Sequence, residues 1–149
     1  MRISPPSSAL LLILAFSASP WLPRQEGHSG PETELAGHME KIEDALKQLR
    51  KHLKEESARP AALEALAEIQ RETLTCKALV PASAAEVPEG ERGAFVTAYR
   101  RTMVDFLLRQ LELEAALLDG DAQTIKSAFE RLKAMEDSGH ERFAPEDGD

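Results

Sequence analysis

Three stretches of this chain carry residues at alternating spacings of four and three, and a fourth carries a looser helical stripe. That repeat leaves few folds open. In the first stretch the seam is Leu35, Met39, Ile42, Leu46, Leu49 and Leu53. In the second it is Ala62, Leu66, Ile69, Thr73, Cys76 and Val80. The third carries Tyr99, Met103, Phe106, Gln110, Leu113 and Leu117, widened by Phe95, Leu107 and Leu111. The fourth carries Ile125, Phe129, Leu132, Met135 or Glu136, His140 and Phe143. A spacing of this kind puts one apolar stripe along each helix and requires a partner helix to cover it. No alternating strand pattern competes.

Punctuation between the stretches sets their bounds. The first helix is expected over about 32–56, with acidic residues at its start and Arg50, Lys51 and Lys54 near its end, as the helix dipole prefers. Pro60 suits the first turn of the second helix, which is expected to run to Val80. Pro81 and Pro88 bracket a connection of small residues. The third helix is expected over about 89–118. Gly120 suits a left-handed cap after it, and Asp121 suits the N-cap of a fourth helix over about 122–143. Short links favour antiparallel neighbours, so the expectation is an all-α, antiparallel up-down-up-down four-helix bundle over residues 32–143. Residues 20–31, with three prolines and two glycines, read as a flexible lead-in, and residues 144–149 as an acidic tail.

The N-terminal residues 1–19 have the layout of a signal peptide. Arg2 is followed by an unbroken apolar run from Ala9 to Phe16 and then by small residues, with Ala15 and Ser17 suited to the positions before a cut. The run is too short to span a bilayer as a helix. Export to the periplasm is expected, with no stable membrane insertion after cleavage; the alternative is an uncleaved membrane anchor or a disordered tail. A net charge of −8 over 149 residues argues against a nucleic-acid partner and against binding to an anionic membrane surface. Cys76 is the only cysteine, so the chain can form no internal disulfide and has no Cys-x-x-Cys-His haem-attachment motif.

Up-down topology brings the start of the first and third helices to the same end as the close of the second and fourth. Leu35, Met39, Ile42, Cys76, Leu79, Val80, Phe95, Tyr99, Met103, Leu132, Met135, His140 and Phe143 are expected to gather there. The set is apolar, aromatic and sulfur-containing, with one imidazole. Met39 and His140 could fill the two axial positions of a haem iron, with Tyr99, Met103 and Phe143 lining the slot. The opposite end, with Leu49, Leu53, Leu117 and Ile125, is expected to be closed. His38 adjoins Met39 but points about 100° away around the helix. His52 lies at the other end and His28 in the lead-in. Each donor also has a plain reading, Met39 as core filler and His140 as a partly exposed histidine.

Over residues 32–143 the chain resembles the cytochrome b562 family. The likeness rests on Gly-His-Met-Glu-Lys-Ile-Glu-Asp-Ala-Leu-Lys-Gln-Leu, which opens the first helix. It rests also on Leu-Leu-Asp-Gly-Asp-Ala-Gln at the last hairpin and Ser-Gly-His-Glu-Arg-Phe at the close of the last helix. The resemblance implies Met39 and His140 as iron ligands, Tyr99 or Met103 beside the haem, and one haem b per chain held without covalent links. It implies one-electron transfer to a soluble or membrane-associated redox protein by a monomer, rather than catalysis. Arg100, Arg101 or Arg142 could pair with propionates, or equally be plain surface charges. Gly139 departs from a good helix former beside the ligand and could fray the last turn and weaken haem retention. A haem-free exported bundle that acts by binding a protein would carry the same acidic surface and amphipathic helices. A ferritin-type di-metal centre needs Glu-x-x-His on two helices. Here only Asp137-x-x-His140 approaches that, once.

Overall fold

The computed structural model describes residues 31–143, with side-chain surroundings from Glu34 onward. The stretch expected to be a signal peptide, nearly all of the expected lead-in and the expected acidic tail lie outside the described residues. Four α-helices form, α1 (Pro31–His52), α2 (Arg59–Cys76), α3 (Glu89–Asp119) and α4 (Ala122–Phe143). Short 3-10 turns at Glu56–Ala58 and Ala82–Ala85 precede α2 and α3. Among the described residues there is no strand, and none of these helices is long and apolar enough to cross a membrane.

The helix ends follow from their hydrogen bonds. After His52 the chain tightens, because the N–H groups of Lys54 and Glu55 bond to Lys51 and His52, three residues back. The first helix therefore stops short of Glu56. The second stops at Cys76 rather than Val80 for the same reason. Ala78 and Leu79 bond to Thr75 and Cys76, and Pro81 has no N–H with which to continue. Val80 consequently leaves the seam and is 47% exposed. Gly120 takes φ 81°, and its N–H caps the Ala116 carbonyl at 2.9 Å. Asp121 Oδ1 accepts the Thr124 N–H at 2.8 Å, so α3 and α4 are separated by a single capped turn.

The seams meet in one core. Leu49, Leu66, Ile69, Leu113, Leu117 and Leu132 are fully enclosed. Every residue of the α3 seam is buried. Leu111, expected to widen that seam, instead faces outward at 47% exposure. Its place on the wheel falls beyond the arc that α2 and α4 cover. The closest helix pairs are α1 with α2, α3 with α4, and α2 with α3. Three polar links tie α2 to α3. Gln70 Nε2 donates to Glu114 Oε2 at 2.7 Å, Gln110 Nε2 to Thr73 Oγ1 at 2.8 Å, and Tyr99 Oη to the Cys76 carbonyl at 3.1 Å. Helices α1 and α4 are not among the pairs that pack closely.

Candidate functional site

Where α1 and α4 stand apart, a cavity of about 310 Å³ opens between the first turns of α1, the first half of α3 and the last turns of α4. That volume falls at the lower end of small-molecule and cofactor pockets. Met39, Tyr99, Met103, His140 and Phe143, the five residues singled out from the sequence, all line it. Leu35, Ile42, Phe106 and Met135 complete a mostly apolar wall.

The donors differ in exposure from the residues around them. Tyr99, Met103 and Phe143 are buried, whereas Met39 and His140 are half-buried, at the accessible side of the cavity. Both are one turn from a glutamate that also lines it, Glu43 beside Met39 and Glu136 beside His140. Glu136 is held by Lys133 Nζ at 3.2 Å. His38 faces elsewhere. Its Nδ1 donates to Glu72 Oε2 on α2 at 2.5 Å, with Lys41 Nζ 3.8 Å from the same oxygen. His140 has no such partner among the described residues.

The inner wall is braced on several sides. Phe143 meets Phe95 and Tyr99 edge to face, with ring centroids 5.3 and 5.5 Å away. Its carbonyl accepts from Ser83 Oγ at 2.7 Å. This contact pins the end of α4 to the 3-10 turn before α3, which Arg92 Nε holds through the Ala84 carbonyl at 2.9 Å. The Tyr99 hydroxyl is fixed to Cys76. Burial pushes the Cys76 thiol up to about 12, helped by the nearby Glu72 carboxylate, and burial also raises the Tyr99 phenol. Both groups stay neutral, so they serve packing and positioning.

Several sequence expectations need correction. Cys76, Leu79, Val80, Phe95 and Leu132, expected at this end, do not line the cavity. Cys76 and Leu132 lie wholly in the core, and Phe95 backs Phe143 from behind. Helix α4 runs unbroken through Gly139 to Phe143. The arginines named for propionates are also elsewhere. Arg101 pairs with Asp105 at 3.4 Å, Arg142 lies over the Phe143 ring at 5.1 Å, and neither they nor Arg100 line the cavity. The opposite end is not closed. A second cavity of about 500 Å³ lies there, lined by Leu53, Leu117, Ile125, Phe129 and His52 among others.

Sequence reasoning missed Ala36, Glu43, Pro81, Ala82, Thr102 and Phe106 as lining residues, and named Glu136 only as an alternative to Met135 and Gly139 only as the neighbour of His140. A signal existed for two pairs. Glu43 lies four residues after Met39 and Glu136 four before His140, so each shares its donor's helix face. That Thr102 faces Gly139 could be found only from the packing, since a Cβ at 139 would lie 3.7 Å from Thr102 Cγ2. Among the described residues no group of three or more His, Cys, Asp and Glu side chains could hold a metal ion. No protein-family model, curated protein or solved structure matches the chain.

Proposed function

We propose that the chain is a b-type cytochrome of the cytochrome b562 kind, an up-down-up-down antiparallel bundle that transfers one electron in the periplasm. The observation that carries this reading is the meeting of Met39 and His140 on one apolar cavity, between helices that do not close on each other. The antiparallel order is supported by the α2–α3 links. Partners 70, 73 and 76 on α2 meet 114, 110 and 99 on α3, in opposite sense along the chain.

The donor set fits a haem better than a bare ion. Two ligands are too few for a protein-only metal centre, yet they match the two positions that a macrocycle leaves to the protein. Haem b, held by His140 nitrogen and Met39 sulfur, would supply a one-electron iron couple. The remaining steps belong to the chain. Tyr99, Met103, Phe106 and Phe143 exclude water and lower the local dielectric. The Met39 thioether favours the reduced state. Glu43 and Glu136 set negative charge beside the site and favour the oxidised state, an effect that Lys133 tempers at Glu136. The same carboxylates disfavour a buried anion, so the part of the ligand held inside must be uncharged or cationic. An acidic molecule of net charge −8 suits docking to a basic redox partner.

Titration of the purified apoprotein with haemin tests the proposal. One equivalent should give a low-spin spectrum, and Met39→Ala should convert it to high spin. Full helicity with no spectral response to haemin would leave the haem-free interaction module as the better reading.

A further inference from the structure

Helix α3 carries two apolar seams, and only one of them is covered. The buried seam faces α2 and α4. The other runs along the outer face through Val104, Leu108, Leu111, Ala115 and Leu118, again at spacings of four and three. Its four large residues are 37%, 50%, 47% and 67% exposed. Leu74 of α2, itself 49% exposed, extends the patch. Leu74 and Leu111 each follow by one residue the bonded pair Thr73 and Gln110, which places them on the same side of the α2–α3 contact. Scattered exposed leucines are ordinary on a monomer, but five large apolar side chains in register on one face mark an interaction surface.

We infer that this face is a homodimer interface in which α3 of one copy packs antiparallel on α3 of another, about a twofold axis at Leu111. The spacing is self-complementary about that residue. Val104 and Leu118 each lie seven positions from it, and Leu108 and Ala115 lie three and four. An isologous pair therefore sets Val104 of one copy level with Leu118 of the next, seam against seam. Charge selects the direction. Exposed Arg100 and Arg101 stand at one end of the seam and exposed Asp119 at the other. Antiparallel pairing brings Arg101, which otherwise reaches only Asp105, beside Asp119 of the second copy. Parallel pairing would oppose like charges at both ends. The contact is made by one helix face and Leu74 alone, so the dimer is expected to form in a concentration-dependent way rather than permanently. The monomer expected from the sequence is then the dilute species.

Sedimentation velocity across micromolar to millimolar concentrations tests this without any cofactor. The wild-type chain should pass from monomer to dimer, and Leu111→Glu should remain monomeric with unchanged circular dichroism. Arg101→Glu should weaken the dimer about tenfold, and adding Asp119→Arg should restore it. Register is read by cross-linking. Leu111→Cys should form a disulfide between copies, while Leu118→Cys should not, because its two copies would lie about 20 Å apart along the axis. Native Cys76 is fully buried and does not interfere. A monomer at all concentrations, a dimer that survives Leu111→Glu, or equal cross-linking at 111 and 118 would overturn the inference.

Discussion

Replacing Gly139 with alanine should stabilise the apoprotein. Glycine in a helix interior costs about 0.8–1.0 kcal/mol relative to alanine, through the backbone freedom it loses on folding. The usual reasons for keeping glycine are absent here. Its φ is not positive, and the one neighbour within reach of an added Cβ is Thr102 Cγ2 at 3.7 Å, an ordinary van der Waals contact. Gly139 lies four residues before the end of α4, yet Phe143 is buried and tied to Ser83, so the last turn is held in place. A small discount for the terminal position leaves a gain of about 0.5–1 kcal/mol. For a domain of this size that is a rise in Tm of about 2–4 °C. Urea unfolding followed by circular dichroism should show a higher midpoint at an unchanged slope. A lower midpoint would mean that the wall between Gly139 and Thr102 has no room for a methyl group. An unchanged midpoint would mean that the turn frays after all.

Two further outcomes concern buried polar groups. Thr73→Val removes the partner of the fully buried Gln110 amide, whose Oε1 already has no partner among the described residues, and should cost about 1–3 kcal/mol. Adding Gln110→Leu should recover most of that loss in the same unfolding assay, because the second buried polar group is then gone as well. Alkaline pH should destabilise the fold. Cys76 ionises near 9.0 when unfolded but only near 12 when buried, so between those values the unfolded chain binds fewer protons and stability falls as pH rises. The slope is about 1.4 kcal/mol per pH unit for one group. It steepens above 10.0, where unfolded Tyr99 also begins to ionise while the buried phenol does not. Denaturation midpoints across this range should drop in that order, and Cys76→Ala should remove the first part of the fall.

Much of the architecture is written locally. The 4-3 seams place the helices. Gly120 and Asp121 fix the last hairpin because a left-handed cap and an Asp N-cap are short-range chemistry. Met39 and His140 reach one cavity because seam and topology both act over whole helices. Residues near helix ends were less legible. Val80 lies past the point where three-residue bonds tighten the chain, so extending the seam to it continued a period that the backbone no longer keeps. The two seams of α3 look alike in sequence, and only packing decides that Phe106 and Gln110 go in while Leu108 and Leu111 stay out. The gap between α1 and α4 has no signature in either helix alone. It arises from what the paired helices fail to fill.

The coordination of iron in the haemin-treated protein tests the central claim most directly. Iron K-edge X-ray absorption should report one sulfur and five nitrogens around the metal. Met39→Ala should remove the sulfur, and His140→Ala should remove one nitrogen. A first shell without sulfur in the wild-type protein, or haemin that gives the same signal after both substitutions, would contradict axial ligation by these two residues.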